Sequence, residues 1–146
     1  QCLIGIKTHT ALSLIVETSD FNRFKKGNMY SAYLGLISGD DSSGGHENKL
    51  GITKAGNSHL RRLLVEAAQG YTRGRVGFKS KDLKSRQEKC SSEVVAYADR
   101  ANERLRRKYY RMTLRGKKFN VAKTAIAREL ACFVWGIMTD HIDLCN

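Results

Sequence analysis

The sequence predicts a compact, mainly α-helical (all-α) single domain, and three observations support this fold class. The chain has 146 residues, which is enough for one domain and too few for two. It contains no proline, the residue that most often breaks a long helix. Apolar residues recur with helical periodicity in several segments, and no segment alternates apolar and polar residues as a half-buried strand would.

The amino-terminal part predicts three short helical pieces. Residues Thr8 to Thr18 are rich in aliphatic side chains and predict a short buried helix after Gly5. Asp20 is expected to cap a short basic helical segment that runs toward Lys26. A further piece is predicted from Asn28 to Leu34.

The middle of the chain alternates loops with one predicted helix. Residues 35–53 contain five glycines and predict a long loop, and a loop of that length is usually functional or disordered. Asn57 or Ser58 is expected to cap a helix that reaches Tyr71, with His59 on its solvent-exposed side. Residues 72–89 are polar and basic and predict a second loop.

Two long helices are predicted in the carboxy-terminal half. Ser91 or Ser92 is expected to cap the first, which continues to about Leu114 and is ended by Gly116. Its apolar stripe is formed by Val94, Ala98, Ala101, Leu105, Tyr109 and Met112. The second runs from Val121 to about Met138, and its second half, with Trp135, is apolar nearly all round and is expected in the core.

The charge of the chain points to a polyanion as partner. The formal net charge is +12, and no acidic residue occurs between residues 104 and 118. A helix face of one charge sign costs stability, because like charges one turn apart repel, whereas phosphate binding offsets that cost by releasing counterions. The candidate phosphate-binding residues of this region are Arg100, Arg104, Arg107, Lys108, Arg111, Arg115, Lys117 and Lys118.

The loop before the first long helix carries a second basic cluster. Arg73 and Arg75 are its candidate phosphate ligands, and the glycines at 74 and 77 are expected to keep it flexible. The alternative is a disordered solubilising segment. In either cluster, phosphate contacts would position nucleic acid without reading its sequence.

Several other functional classes are disfavoured by composition. The four cysteines (Cys2, Cys90, Cys132 and Cys145) have no zinc-ligand spacing, so we expect reduced thiols and no metal site. The sequence contains no run of about 18 apolar residues, so it predicts no transmembrane helix. A basic helical protein that docks on a protein partner or an acidic membrane would expose a large apolar patch, which the sequence does not predict.

A serine loop is the candidate catalytic element. Glycines follow Ser42 and Ser43, so a serine hydroxyl could be presented without obstruction while nearby backbone amides hold an anion. Lys54, Arg61 and Arg62 would add positive charge around it. Those parts suit attack of a serine on a phosphodiester, although a Ser-Ser-Gly-Gly loop can also be merely flexible.

The order of several motifs resembles the carboxy-terminal domain of the DEDD-type insertion-sequence transposases, also described as bridge-RNA-guided recombinases. The opening Ile4–Thr8 is similar to the end of that family's helix-hairpin-helix element. The other matching segments are Tyr33–Leu36, Ser42–Gly45, Gly51–Asn57, Leu60–Leu64, Ala125–Ala131 and Phe133–Trp135. The chain departs from the family at Ile37-Ser38, where members commonly have a proline.

The resemblance implies a division of labour between two domains. Residues 1–19 would end a helix-hairpin-helix-like element, and residues 20–146 would form the transposase carboxy-terminal domain. A nuclease-like amino-terminal domain, absent from this sequence, would hold divalent metal (Mg²⁺) through four acidic residues. This domain would then need no cofactor, and the chain alone would be inactive.

The resemblance also implies a chemistry and a set of partners. Ser43, with Ser42 as the alternate, would attack DNA, and strand exchange would proceed through a phosphoserine link guided by a structured RNA. The full-length protein would be a homo-oligomer in the bacterial or archaeal cytoplasm, associated with the nucleoid and not with a membrane. The alternative is a non-enzymatic basic helical module that binds DNA or RNA, in which both serines are dispensable.

Overall fold

A computed structural model describes residues 1–43 and 46–143, with side chains for residues 1–38 and 51–143. The mainly helical class is confirmed. The helices are α1 (Thr8–Thr18), α2 (Gly27–Tyr33), α3 (Ser58–Ala68), α4 (Lys81–Gln87), α5 (Ser92–Leu114) and α6 (Phe119–Met138). Two strands, β1 (Ser38–Ser43) and β2 (His46–Ile52), lie between α2 and α3, and single 3₁₀ turns occur at Phe21–Arg23 and Gln69–Tyr71.

The core is organised around α6, which packs against α2, α3 and α5. Ile126, Ala127 and Leu130 are completely buried on it. The predicted core position of Trp135 is confirmed, and its indole Nε1 donates to the carbonyl of Phe24 at 3.1 Å. Full burial of each large aliphatic side chain contributes about 1.5–3 kcal/mol, so α6 supplies much of the stabilisation of the domain.

Capping residues fix where the helices begin. Asn57 accepts a hydrogen bond from the third amide of α3 at 2.9 Å, and Ser91 accepts one from the third amide of α5 at 3.4 Å. Each was one of two predicted caps for its helix. Asp20 also caps as predicted, but the element that follows it is a single 3₁₀ turn ending at Arg23 and does not extend toward Lys26.

Helix α1 has the predicted bounds but is not the buried helix that we expected. Only Leu14 and Thr18 are buried on it. Leu12, Ile15 and Val16 are exposed along one side, because this peripheral helix packs mainly against α3. The structure therefore shows an exposed apolar strip on α1 that the sequence did not predict.

A β-hairpin occupies most of the region predicted as a loop without strands. β1 and β2 pair antiparallel, from Ser38 opposite Ile52 to Ser43 opposite His46. A two-stranded ladder is held by backbone hydrogen bonds and does not need alternating apolar side chains, so its sequence pattern is weak. The available signal was the Gly-Gly pair between two short runs, a common hairpin turn sequence; those two glycines lie outside the described residues.

Helix α4 was also missed inside the predicted basic loop. Ser80 caps it by accepting from the amide of Leu83 at 3.2 Å. Only Leu83 and Gln87 of its seven residues are buried, so no apolar stripe marks it in the sequence.

Candidate functional site: a serine hairpin and a basic groove

Two glycines fix the base of the serine hairpin (Ser38–Ile52) to the helical core. Gly35 and Gly56 have φ angles of +68° and +74°, a left-handed backbone conformation that residues with a side chain rarely adopt. A Cβ on Gly35 would lie 2.2 Å from the oxygen of Ala55, and one on Gly56 would lie 1.7 Å from the oxygen of Tyr33. The chain entering β1 and the chain leaving β2 are thus in direct backbone contact.

Arg61 joins the two ends of the same hairpin. Its Nη1 donates to the carbonyls of Leu34 at 3.2 Å and Ala55 at 3.0 Å, one on each side. A backbone bond from Thr53 to Ile37, 2.9 Å long, closes the ladder above them. Arg61 therefore holds the hairpin base through its guanidinium, and its role toward phosphate stays a prediction.

The other candidate residues of the serine loop are distributed along the hairpin and α3. Ser43 is the last paired residue of β1, Ser42 precedes it, and their side chains lie outside the described residues. Lys54 is exposed at the hairpin base, with a left-handed φ of 55°. Arg62 is exposed one turn into α3 and lies 3.9 Å from the carboxylate of Glu66. The structure thus places Lys54 and Arg61 at the base of the hairpin, whereas the only contact that it shows for Arg62 among the described residues is with Glu66 on the same helix.

A basic groove lies on the surface between α5 and α6. Three of its cationic side chains are spaced along one side of α5 at helical intervals and the fourth directly follows α5, opposite a single carboxylate on α6. The cavity measures about 260 Å³ and is lined by Arg104, Lys108, Arg111, Met112, Arg115 and Glu129. Four cations facing one anion leave the groove with an excess of positive charge.

Glu129 is bound by two of those cations, Arg104 and Lys108. Its carboxylate accepts from Arg104 Nε and from Lys108 Nζ, the latter at 2.5 Å. Its sequence neighbour Arg128 is not a partner, because consecutive helical residues point about 100° apart and do not face each other. Burial favours the protonated acid, but the hydrogen bonds and charges of Arg104 and Lys108 outweigh it and lower the pKa of Glu129.

Replacing Glu129 by glutamine is expected to lower the free energy of unfolding at neutral pH by about 1–3 kcal/mol. Because the native pKa is lowered, the stabilisation by Glu129 is complete above its unfolded-state value and is lost as the pH falls through the native value. Urea unfolding at neutral and acid pH should show the difference from wild type shrinking on acidification. Glu66→Gln, which breaks only an exposed pair, should have little effect. A difference that is the same at every pH would contradict the account.

The remaining α5 cations differ in their surroundings. Arg107 is exposed and pairs with Glu103 at 3.5 Å. Arg100 is exposed, with its guanidinium 3.5 Å from the carbonyl of Ile142. Lys117 and Lys118 are exposed in the segment that follows α5. All of these lie at the surface, where a phosphate could reach them.

Arg106, which belongs to the same basic run, is buried and serves a structural role. Its Nη1 donates to the carbonyls of Arg75 and Phe78, both at 2.7 Å. The loop that carries Arg73 and Arg75 is thereby bound to α5, and both of its arginine side chains are exposed. Gly74 adopts a φ of +83° there, a conformation that glycine reaches without strain, and the expected flexibility of this loop stays a prediction.

A carboxylate on α1 is hydrogen-bonded to the start of α3, a contact that no sequence pattern predicted. Glu17 accepts from Asn57 Nδ2 at 2.8 Å and lies 2.5 Å from His59 Nδ1. Hydrogen bonds from Asn57 and then His59 lower the pKa of Glu17. His59 is therefore half-buried and bound, not a solvated surface residue. Since Glu17 and His59 are 42 positions apart, no local pattern could have revealed the contact.

Within the described part of the chain, no cluster of three His, Cys, Asp or Glu side chains could hold a metal ion. Cys2, Cys90 and Cys132 are free thiols, and burial raises the pKa of the first and the last. Cys145 lies outside the described residues. None of the described helices is both long and apolar enough to span a bilayer.

Comparison with known proteins places these features in a family. The model of the "Transposase IS116/IS110/IS902 family" matches residues 2–81. A protein of Sinorhizobium fredii named "Putative transposase y4qE" is 41% identical over 138 residues, which are 94% of this chain and 35% of that protein. The transposase for insertion sequence element IS1111A of Coxiella burnetii is 30% identical over 139 residues, 95% of this chain and 32% of its own length.

The transposase for insertion sequence element IS1328 of Yersinia enterocolitica is also 30% identical, over 135 residues, 92% of this chain and 33% of that protein. The chain thus spans about a third of the length of these curated relatives. No solved structure matches it. Because the family match covers more than half of the chain and contains the whole serine hairpin, the chain belongs to the IS116/IS110/IS902 family of transposases.

Proposed function

We propose that this chain is the part of an insertion-sequence transposase that binds DNA and supplies the serine nucleophile for strand cleavage and exchange. The observation that carries the proposal is the serine hairpin. It lies inside the family match, and its two ends are held together at Gly35 and Gly56 and by the guanidinium of Arg61. Such an anchored projection can carry a nucleophile to DNA that is bound elsewhere on the domain.

The proposed chemistry uses the hydroxyl of Ser43, with Ser42 as the alternate. Its oxygen attacks the phosphorus of a phosphodiester, an oxygen–phosphorus bond forms, and the bond to one sugar oxygen breaks. The serine proton passes to a base or to solvent, and the departing sugar oxygen takes up a proton. Attack of a sugar hydroxyl on the phosphoserine then reseals a strand and restores the serine, so no external energy source is needed.

Positive charge at the hairpin foot supports this chemistry. Lys54 is exposed there, and Arg62 is exposed on α3, next in sequence to Arg61; both would stabilise the charge that develops on the pentacovalent phosphate. Arg61 would act less directly, by holding the hairpin ends through its carbonyl contacts. Divalent metal is proposed to belong to a nuclease-like part of the protein, and the steps above use only residues of this chain.

The basic groove is proposed as the main binding surface for nucleic acid. Arg111 and Arg115 are exposed in it, and neither has an ion-pair partner among the described residues. Their phosphate contacts would release counterions and make binding salt-dependent. A structured guide RNA presents the same phosphates and is proposed as a second ligand, and the full-length protein is proposed to act as a homo-oligomer.

The double change Arg111→Ala/Arg115→Ala is expected to weaken duplex DNA binding about tenfold or more. Each lost phosphate contact should also reduce the slope of log affinity against log salt by about 1. Fluorescence anisotropy with a labelled duplex over a salt series measures both quantities.

The matched control for that double change is Lys84→Ala/Lys89→Ala, which removes the same charge from exposed positions outside the groove. It should leave most of the affinity and the salt slope intact. If both double variants bind duplex DNA with the same affinity, the groove is not the main binding surface, and binding depends on net charge alone.

A further inference from the structure

We infer that a second surface, the stacking platform formed by Arg23, Phe24, Lys25, Lys26 and Tyr33, binds an unpaired DNA strand beside the serine hairpin. This inference rests on the proposed function, since it assumes that the chain acts on DNA. It extends that function to residues with no assigned role, and it names the form of DNA that they would recognise.

The platform is built on an arginine that covers two aromatic rings. Arg23 Cζ lies 4.6 Å from the centroid of the Phe24 ring and 4.7 Å from that of the Tyr33 ring. The two ring centroids are themselves only 5.2 Å apart. The guanidinium carbon and the two ring centroids thus form a nearly equilateral triangle, so Arg23 contacts both rings at once. Arg23 is exposed, so the part of its guanidinium that is turned away from the rings is accessible to a planar ligand.

The platform is rigidly attached to the core and to the hairpin. The Phe24 ring contacts the completely buried Tyr30 ring at 5.3 Å, and the Phe24 carbonyl accepts from Trp135. The Tyr33 carbonyl is the oxygen against which Gly56 is packed at the hairpin base. A strand bound on the platform would therefore lie next to the foot of the element that carries the candidate nucleophile.

The charge around the rings selects a polyanion. Lys25 and Lys26 are exposed, and within the described part of the chain neither they nor Arg23 forms an ion pair. The nearest preceding acid, Asp20, is engaged in capping the amide of Asn22 at 2.8 Å. Cations next to an exposed guanidinium and two aromatic rings fit a ligand that carries both phosphates and flat rings, which is a nucleic acid.

An unpaired strand fits the platform better than a duplex. In a duplex the faces of the bases are covered by their neighbours, whereas an unpaired base can stack on an aromatic or guanidinium plane. Strand cleavage and exchange at the hairpin would produce unpaired DNA at this place. Single-stranded DNA is therefore the occupant that we propose.

The test compares two single-stranded probes of equal length and charge on the full chain. One is a labelled oligothymidine, and the other is an abasic sugar–phosphate strand that cannot stack. Fluorescence anisotropy should show that wild type binds the oligothymidine more tightly. Arg23→Ala should weaken that binding about fivefold or more, the equivalent of about one base stack. Arg23→Lys keeps the charge and should lose the preference for oligothymidine while still binding the abasic strand.

Controls separate this inference from the proposed function. Lys84→Ala, an exposed charge loss elsewhere, should leave the preference for oligothymidine unchanged. If the Arg23 variants bind oligothymidine as wild type does while the groove variant loses duplex binding, the inference about the stacking platform is wrong. The proposed role of the basic groove in DNA binding is then still supported. If the groove variant keeps full affinity for every probe, the proposed role of the basic groove in DNA binding is wrong. Tighter binding of oligouridine or of a duplex, with the same sensitivity to Arg23→Lys, would overturn the choice of single-stranded DNA.

Discussion

Replacing Ser43 by alanine is expected to reduce DNA excision by about a thousandfold or more, because the methyl group that remains has no oxygen to attack phosphorus. Ser42→Ala should retain most of the activity, since Ser42 is only the alternate in the motif. The measurement is excision of an element from a donor plasmid by the complete reading frame that encodes the chain. Sealed donor molecules are counted by quantitative amplification.

Ser85→Ala is the matched control, because Ser85 is exposed on α4 and outside the hairpin. It should excise as wild type does. Loss of excision in Ser42→Ala alone would transfer the nucleophilic role to that residue. Full activity of both hairpin variants would exclude a serine mechanism, although the chain would still belong to the transposase family.

Gly56→Ala is expected to be among the most destabilising single changes in the chain, at about 3 kcal/mol or more. The added Cβ would lie 1.7 Å from the Tyr33 carbonyl oxygen, at a φ of +74°. Relief of that overlap would require the backbone at the hairpin base to move. The free energy of unfolding in urea measures the loss, and excision should fall with it, since the hairpin loses its anchor.

Substitutions at two other glycines distinguish the cost of backbone strain from the cost of the close contact. Gly116 has a φ of +73° with no atom near its Cβ direction, so Gly116→Ala should cost only the backbone strain, about 1–2 kcal/mol. Gly51 has neither a positive φ nor a close neighbour, so Gly51→Ala should be nearly neutral. If Gly56→Ala were no worse than Gly116→Ala, the close contact at the hairpin base would not exist in the protein.

Most of the helical architecture could be predicted because its signals are local. The bounds of α1, and the caps of α3 and α5 at Asn57 and Ser91, follow from residue types within one or two turns. The stripe on α5 was confirmed in the same way: Ala98, Ala101 and Leu105 are completely buried. In each case the residues that determine the element lie inside it or next to it.

The hairpin, and which basic side chains are buried or paired, could not be predicted equally well. The hairpin depends on backbone pairing, which a serine- and aspartate-rich sequence does not reveal. Arg106 was indistinguishable in composition from its exposed neighbours, although its position directly after the stripe residue Leu105 was a signal that it could face inward. The partners of Glu129 and His59 lie on other helices, so only the tertiary structure identifies them.

The candidate site was predicted as a set of residues but not as an arrangement. Motif order led to Ser43, Lys54 and Arg62, and these assignments of function stay predictions. The structure adds that Arg61 holds the hairpin ends and that Arg104 and Lys108 already share a carboxylate. Such pairings depend on which helix faces meet, and that information is distributed over the whole chain.

The most direct test of the serine mechanism is to trap and map a covalent protein–DNA adduct. The complete reading frame would be incubated with a nicked target duplex, and the adducted peptide identified by mass spectrometry in wild type, Ser42→Ala and Ser43→Ala. We predict a phosphodiester-linked nucleotide on Ser43 that is lost only in Ser43→Ala. Absence of an adduct in all three proteins, with salt-sensitive DNA binding intact, would contradict the account and identify a nucleic-acid-binding module without a catalytic serine.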